Sequence, residues 1–460
     1  MDFNALLQNQ RAFFQSGATR SREFRRAQLL KLHQTLEDQT PMLLEALRSD
    51  LGKSSYEAYA TEIGLVLSEI QHAIRQLRAW MRPQRRRTPL LAWPSKGFVQ
   101  PEPYGIALII GPWNYPIQLL LMPLVGAMAA GNCAILKPSE FAPKSAAAVA
   151  QLIDAAFSKD YLTVVQGERE TSEALLREKF DTIFFTGSTI VGRAVMTAAA
   201  RHLTPVTLEL GGKCPCLVCA DAPMDLAARR IVWGKFMNAG QTCVAPDFVL
   251  VDRRVLDRLV AAIKRVLRQF YGEDPQKSSD FGRIISRRHC ERLINYLGAG
   301  QIIHGGQHDA EARFFAPTIL TDIPADAAVM QEEVFGPILP IVGFGTLDEA
   351  LNQLRQRPVP LALYLFTSDR RIQEYVLTNT RSGGVCLNDT VLHMIGKNLP
   401  FGGLGESGLG AYHGKASFDC FSHRRSILRR SLMIDVTLRY PPPRLGLANL
   451  KRVYHFLLGR

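Results

Sequence analysis

Apolar residues in the first eighty positions recur at the three- and four-residue spacing of helices that bury one face. The leucines within 29–36 and a longer apolar stripe over 58–81 follow this spacing. Thr40 and Pro41 predict the start of a helix, with Thr40 as its cap and the proline in its first turn. The next segment, 82–95, contains three prolines and a run of arginines, which predicts a linker or an extended arm.

From about residue 105 the pattern changes to short apolar runs that alternate with helical segments. Such alternation is typical of a parallel sheet with helices packed on its faces. The runs predict strands at 106–110, 133–136, 163–165 and 182–185. The segments between them predict helices at 122–130 and 144–157. A similar run after residue 214, with a helix at 226–237, predicts a second α/β unit.

The chain has 460 residues, of which 47% are hydrophobic and 21% charged, which is typical of a globular protein with two large domains. The net charge of +13 is compatible with solvated faces, a boundary between subunits, an anionic ligand or an anionic membrane surface. The basic runs lack interleaved aromatic residues, so nucleic acid is not an expected partner.

Eight cysteines without framework-like spacing indicate a reducing compartment, and we expect a cytoplasmic protein. Cys214, Cys216 and Cys219 lie close together, but no distant Cys or His pair has ligand spacing, so no metal is expected. The N-terminus does not resemble a signal peptide. Prolines and glycines interrupt the most apolar stretch, 106–136, which excludes a simple membrane span.

Two short motifs suggest a dinucleotide site. In Phe-Thr-Gly-Ser-Thr, Gly187 and Ser188 follow a predicted strand and precede a helix that also contains Gly192. Free amides and the dipole at such a helix start attract phosphate, although a purely structural turn has the same pattern. Lys137 and Glu140 follow another predicted strand, where ligands bind in open α/β sheets. An ordinary surface ion pair is the alternative.

Other motifs suggest reactive groups. Cys243 lies in a glycine-containing loop after a predicted helix, although most single cysteines are inert and buried. Glu209, between two leucines before a double glycine, is a candidate base because burial raises a carboxyl pKa. A structural ion pair is its alternative. Asn114 follows the strand at 106–110, where its amide could donate to an oxyanion. Its neighbour Trp113 could equally belong to the core.

Taken together, these blocks resemble the aldehyde dehydrogenase superfamily from end to end. They are Pro-Trp-Asn-Tyr-Pro, Lys-Pro-Ser-Glu, Phe-Thr-Gly-Ser-Thr, Leu-Glu-Leu-Gly-Gly, Gly-Gln-Thr-Cys and Glu-Glu-Val-Phe-Gly-Pro, in the order of the family. The short N-terminus, Gly-Gln-Thr-Cys-Val-Ala-Pro and Leu-Pro-Phe-Gly-Gly point to the class 3 branch, which acts on fatty and aromatic aldehydes. The implied fold is α/β, with a Rossmann-like parallel-sheet cofactor domain, an α/β catalytic domain and a small oligomerisation arm.

The resemblance implies oxidation of a medium- or long-chain aliphatic, or aromatic, aldehyde to the acid with NAD, or with NADP. Cys243 would be the nucleophile, Asn114 an oxyanion donor and Glu209 the base that activates water. The implied cofactor contacts are Trp113, Lys137, Glu140, Gly187, Ser188, Gly192, Glu333 and Phe335. The implied substrate contacts are Tyr115 and Phe401.

The resemblance also implies a homodimer, with cross-subunit strands from the arm near 82–100. The expected cofactor domain is 1–84 and 104–211, and the catalytic domain is 212–406. Bridging elements are expected at 85–103 and 407–435, followed by a C-terminal tail at 436–460.

Three further possibilities stay open on the sequence. A CoA-acylating dehydrogenase would give Glu209 no purpose, and a cysteine esterase would be a side activity because no G-x-S-x-G elbow occurs. A non-catalytic, membrane-associated scaffold would not need the three candidate catalytic residues. The basic, amphipathic tail could lie on a membrane surface, or it could dock over the subunit interface or the tunnel mouth.

Overall fold

The computed structural model describes residues 2–89, 92–435, 440–442 and 445–457. The strands of these residues are β1 (Gln84–Arg86), β2 (Ser95–Pro103), β3 (Ile106–Ile110), β4 (Cys133–Lys137), β5 (Leu162–Val164), β6 (Thr182–Thr186), β7 (Val206–Glu209), β8 (Pro215–Val218), β9 (Phe248–Asp252), β10 (Gln301–His304), β11 (His308–Asp309), β12 (Phe314–Phe315), β13 (Thr318–Thr321), β14 (Ile338–Phe344), β15 (Ala362–Phe366), β16 (Gly384–Leu387), β17 (Gly408–Leu409) and β18 (Ser422–Arg430).

The helices of these residues are α1 (Phe3–Gln15), α2 (Arg22–Asp38), α3 (Thr40–Leu51), α4 (Ser55–Ala58), α5 (Gly64–Met81), α6 (Gln118–Ala130), α7 (Pro143–Ala156), α8 (Arg169–Leu175), α9 (Thr189–Ala200), α10 (Met224–Phe236), α11 (Leu256–Tyr271), α12 (Arg287–Ile294), α13 (Ala328–Gln331), α14 (Leu347–Arg355), α15 (Arg370–Asn379), α16 (Lys415–Cys420) and α17 (Leu447–Leu457).

The first sheet has the strand order β17-β7-β6-β3-β4-β5. Its strands run parallel except β17, which pairs antiparallel with β7. All residues of β3, β4 and β6 are buried, because helices cover both faces of the sheet. The carboxyl ends of β3, β6 and β7 therefore meet at one edge, where Asn114, Gly187 and Glu209 follow or end their strands.

The second sheet has the order β10-β13-β14-β9-β8-β15-β16 and is parallel except for β10. Its central strand, β9, is entirely buried. Helix α10 and the loop that contains Cys243 lead into β9. The second α/β unit expected from the sequence is thus present.

The predicted arm forms a separate antiparallel sheet with the order β1-β2-β18. Strands β2 and β18 pair over nine residues, from Ser422 opposite Pro103 to Arg430 opposite Ser95. Strand β18 is an edge strand, and most of its side chains are exposed. In the described part of the proline- and arginine-rich segment, residues 84–86 form the extended strand β1, whereas residues 90 and 91 lie outside the described residues. Strand β18, the other partner of β2, comes from the far end of the chain.

The predicted elements agree with the structure to within about two residues at most ends, with two corrections. Helix α6 begins at Gln118, a full turn before the predicted start at 122. Thr40 is not a cap, because it is the first residue of α3 and its hydroxyl donates to the Leu36 carbonyl of the preceding helix, at 2.8 Å. Pro41 does lie in the first turn, as predicted.

The C-terminal helix α17 does not pack into the core of this chain. Its apolar side chains are exposed, including Leu447 at 67% and Phe456 at 80%. Docking over the tunnel mouth of the same chain, one of the expectations for the tail, is therefore not observed in 447–456. Within the described ranges, no helix is long and apolar enough to cross a membrane.

Candidate active site

A cavity of about 260 Å³ lies at the carboxyl edge of the first sheet, against the loop that leads into β9. Eight of the residues singled out in the sequence line it: Trp113, Asn114, Gly187, Ser188, Glu209, Cys243, Glu333 and Phe335. They come from four loops and one strand end that are far apart in the chain. The fold thus brings the candidate nucleophile, base and oxyanion donor into one chamber.

The loop before Cys243 has an unusual backbone that several contacts hold in place. Asn238, Ala239 and Gly240 all have positive φ, at 53°, 51° and 76°. A side chain at Gly240 would meet the Gly336 carbonyl oxygen at 2.2 Å, so only glycine fits there. The Gln241 side chain donates to the carbonyls of Asn238 and Arg283, both at 3.0 Å. These contacts fix the chain direction just before the thiol.

Asn114 connects this loop to the first sheet. Its Nδ2 donates to the Gln241 carbonyl at 3.0 Å, and the residue is 3% exposed. An amide nitrogen has two N–H groups, so a second donor remains for a group inside the cavity. Asn114 thus ties the segment after β3 to the loop that contains Cys243, and both residues line the chamber.

Glu209 ends β7 and is 2% exposed. Its carbonyl accepts a hydrogen bond from the Gly187 N–H at 3.0 Å, which joins the candidate base to the glycine turn. Among the described residues, neither carboxylate oxygen has a hydrogen-bond partner. Burial raises the pKa of Glu209 well above its usual value, as expected for a carboxyl group taken out of water without a compensating charge. No described residue forms the structural ion pair that was its alternative.

Cys243 is half-buried as a residue. Burial raises its pKa, and the neighbouring carboxylates of Glu333 and Glu209 raise it further. Burial also raises the pKa of Glu333 to about 8, against the lowering effect of the Gly212 N–H. The chamber therefore favours a protonated thiol beside two carboxyl groups that accept protons more readily than usual.

The glycine turn and helix α9 form another wall of the chamber. Ser188 is the cap of α9, and its hydroxyl accepts a hydrogen bond from the Val191 N–H at 3.4 Å. At Gly211, a side chain would meet Glu333 Oε2 at 2.0 Å, so only glycine lets the Glu333 carboxylate lie against this segment. Free amides at the start of a twelve-residue helix can bind a phosphate group here.

Lys137 and Glu140 lie at the end of β4, next to β3 in the sheet but outside the cavity lining. Their Nζ and Oε2 atoms are 3.6 Å apart. The Lys137 side chain is 1% exposed, whereas that of Glu140 is 32% exposed. Gly192, in the first turns of α9, is also buried outside the lining.

Neither predicted substrate contact lines the cavity. The Tyr115 hydroxyl lies 2.7 Å from Oγ1 of Thr242, the residue before Cys243. Phe401 is 6% exposed and stacks on His413, with ring centroids 5.3 Å apart. Both residues therefore lie in packed surroundings next to the chamber.

Two further residues that line the cavity, His289 and Arg292 of α12, belong to no recognisable sequence motif. The His289 ring packs edge-on against Trp113, with centroids 5.1 Å apart. Arg292 donates to the Val334 carbonyl at 2.6 Å and so supports the segment that contains Glu333. Across the residues described, no cluster of metal-ligating side chains is found.

Comparison with known proteins agrees with this geometry. The model of the aldehyde dehydrogenase family matches residues 1–427. Mouse aldehyde dehydrogenase family 3 member B1 is 48% identical and aligns over 96% of this chain and 94% of its own length. The mouse "dimeric NADP-preferring" aldehyde dehydrogenase is 46% identical over 96% of this chain and 98% of its own length. The solved structure of Staphylococcus aureus AldH in a substrate-bound state is 44% identical, covers 99% of this chain and 100% of its own, and has a TM-score of 0.96. The chain therefore belongs to the aldehyde dehydrogenase family.

Proposed function

We propose that this protein oxidises an aldehyde to a carboxylic acid with NAD or NADP, and that Cys243 is the nucleophile. The observation that supports this most directly is the shared chamber, which is lined by the Cys243 thiol, the Glu209 carboxylate and the Asn114 amide. A thiol, a base and an amide donor are the groups needed to form and hydrolyse a thioester.

In the first half of the reaction, the Cys243 sulfur bonds to the aldehyde carbon. The thiol must lose its proton first, and the neighbouring carboxylates of Glu209 and Glu333 are the available acceptors. The remaining N–H of Asn114 Nδ2 and the Cys243 backbone N–H donate to the aldehyde oxygen as it gains negative charge. When bound, the dinucleotide supplies the acceptor for the hydride that leaves the tetrahedral carbon, and a thioester on Cys243 results.

In the second half, Glu209 accepts a proton from a water molecule that attacks the thioester carbon. A carbon–oxygen bond forms, the carbon–sulfur bond breaks, and the acid leaves as Cys243 is regenerated. The two oxygens of Glu209, which have no partner in the part of the chain that the structure describes, can hold that water. This step distinguishes hydrolysis from transfer to coenzyme A, for which a buried base would have no use.

The residues around the chamber fit a dinucleotide. Gly187 and Ser188 at the start of α9 would hold its phosphates, with Gly192 behind them. Glu333, whose Oε1 has no partner among the described residues, would hold the nicotinamide ribose. Phe335 and Trp113, with ring centroids 5.3 Å apart, form the apolar wall beside it.

Lys137 and Glu140 would hold the adenosine ribose hydroxyl groups. A carboxylate at that place repels a 2′-phosphate, which favours NAD, whereas the neighbouring ammonium group attracts the phosphate and allows NADP. The substrate would be a medium- or long-chain aliphatic or an aromatic aldehyde. Tyr115 and Phe401, in the packed layer next to the chamber, would influence how the substrate binds.

We also propose a homodimer in which the exposed edge strand β18 of the arm takes part in the contact. A relative of similar length is named dimeric, and an open edge strand is a ready template for pairing. For the tail, contact with an anionic membrane surface rests on its basic, amphipathic pattern alone. Flotation with anionic vesicles, with and without 436–460, would test that contact.

The proposed activity is tested by measuring NADH and NADPH formation over aldehydes from acetaldehyde to long-chain and aromatic members. Wild type should form reduced cofactor without coenzyme A, and Cys243→Ala should not, although it should still fold and bind NAD. Substantial oxidation by the folded Cys243→Ala variant would refute the assignment of the nucleophile. Acceleration of NADH formation by coenzyme A would instead favour an acylating enzyme.

A further inference from the structure

A fully buried ammonium group lies directly behind the candidate oxyanion donor. Lys53 is 0% exposed, and its Nζ has three partners. It donates to the Asn114 carbonyl at 3.0 Å and to Glu62 Oε1 at 2.5 Å. It also lies 4.0 Å from the centre of the Tyr115 ring, a favourable position for a cation. All three N–H groups of the ammonium are thus directed at partners.

Glu62 is also 0% exposed, and its second oxygen serves a different purpose. Oε2 accepts hydrogen bonds from the backbone N–H groups of Ile117 and Gln118, at 2.9 and 3.2 Å. These are free amides at the start of α6, where a negative charge is favourable. One carboxylate therefore fixes both Lys53 and the helix that begins four residues after Asn114.

The same carbonyl of Asn114 also contacts the loop 238–243, which ends at the candidate nucleophile Cys243. Asn238 Nδ2 donates to it at 2.8 Å and to the Gln241 carbonyl at 3.1 Å. Asn114 Nδ2 donates to that Gln241 carbonyl as well, at 3.0 Å. A continuous network of hydrogen bonds thus runs from Glu62 through Lys53 and Asn114 to the residue two positions before Cys243.

We propose that Lys53 and Glu62 are positioning residues that set the Asn114 amide relative to the Cys243 thiol, an inference that rests on the proposed function. Removing two charges from water is costly, and well-packed apolar residues are often as stable as a buried ion pair. Stability alone therefore gives no reason for this pair. Orientation of Asn114 does give a reason for the pair, because an ammonium and a carboxylate fix the backbone of Asn114 more strictly than apolar packing would.

The test separates positioning from folding with a double variant, Lys53→Met with Glu62→Gln. The glutamine oxygen can still accept from the N–H groups of α6. Burial raises the pKa of nearby Glu57 and Lys53 lowers it, so Glu57 can take up a proton when the cation is lost, and the thermal midpoint should stay close to that of wild type. The Asn114 carbonyl nevertheless loses its Lys53 donor. We expect the first-turnover rate of NADH formation from hexanal to fall about 10- to 100-fold, with the Kd for NAD and the KM for hexanal within about twofold.

Arg25→Met is the matched control. Arg25 lies in α2 and is 5% exposed. It donates to the Thr19 carbonyl and to the Ala129 carbonyl, the latter at the opposite end of α6. Its loss removes a buried cation that contacts the same helix, α6, without touching the network, so the first-turnover rate should be unchanged in the fraction of the variant that folds. Wild-type first-turnover rates in a folded double variant would overturn the proposal, as would an equal fall in Arg25→Met.

A second readout does not depend on turnover. Amide hydrogen exchange over 238–243 and the rate of Cys243 alkylation by iodoacetamide, followed on its peptide, should both rise in the double variant and not in Arg25→Met. If wild type oxidised no aldehyde, the proposed function would fail while these measurements still decided whether the pair holds the loop. Unchanged hydrogen exchange and unchanged alkylation would then refute the positioning role separately from the proposed function.

Discussion

At the scale of single residues, the carboxylate of Glu209 separates the two halves of the proposed reaction. Glu209→Gln removes the base but keeps the shape of the buried side chain, so Cys243 can still form the thioester. We expect a burst of NADH close to one equivalent, followed by a steady state at least about 100-fold slower than wild type. Stopped-flow absorbance measures both phases. Loss of the burst together with the steady state would argue against the role of base.

The pKa of Glu209 also predicts the pH dependence of hydrolysis. The base is the deprotonated carboxylate of Glu209. The rate of hydrolysis therefore falls as the pH drops below the pKa of Glu209, by about tenfold per pH unit for one proton. Because burial raises this pKa well above 4.5, the fall should begin at a higher pH than an ordinary carboxyl group would give. Decay of a preformed acyl-enzyme at several pH values measures it.

The matched control for this profile is Glu209→Gln, whose residual hydrolysis should lack the limb that Glu209 causes. Cys243 has already reacted in the acyl-enzyme, so its own raised pKa does not contribute to the decay. A wild-type profile that is flat down to pH 4.5 would contradict the assignment.

At the scale of elements, the end of β4 offers a test of cofactor choice. Glu140 has a partly exposed side chain whose ion-pair partner is the buried Lys137, so Glu140→Gln should have little effect on folding. It removes the charge that opposes a 2′-phosphate while Lys137 remains. We expect kcat/KM for NADP relative to NAD to rise about tenfold, in line with one unscreened charge interaction.

Lys137→Met is the companion variant, and it should shift the same ratio toward NAD, because it leaves the carboxylate without its cation. If neither variant moved the NADP-to-NAD ratio, these two residues would not contact the ribose.

The success of prediction also differs from element to element. Strands β3, β4 and β6 were predictable because each is buried on both faces and reads as a continuous apolar run. The start of α6 was not, because the carboxylate that binds its first amides is Glu62, more than fifty residues away. Thr40 is a residue type typical of helix caps, yet its hydroxyl donates to a carbonyl of the preceding helix.

The candidate site follows the same division. Cys243, Glu209 and Asn114 were predictable because they lie in short motifs at strand ends and in a glycine loop. His289, Arg292 and Lys53 were not, because they reach the site from helices or loops whose local sequence has no special pattern. Packing between distant segments, rather than local sequence, brings them there.

At the scale of the whole molecule, several sheet edges of the described chain carry exposed apolar side chains. Strand β18 ends the arm and β16 ends the second sheet, and each has an exposed leucine, Leu428 at 59% and Leu387 at 37%. Unpaired backbone groups beside exposed apolar side chains favour association with another chain. A homodimer through the arm would cover such an edge.

Leu428→Glu should therefore weaken the proposed dimer, because it adds a buried charge to each copy of the contact. By sedimentation velocity, wild type should have twice the 51.2 kDa mass of the chain, whereas the variant should shift toward that single mass on dilution. Leu432→Glu is the matched control, since Leu432 is fully exposed just beyond the end of β18. If Leu428→Glu stayed dimeric at every concentration, β18 would not be part of the interface. A monomeric wild type would exclude the dimer altogether.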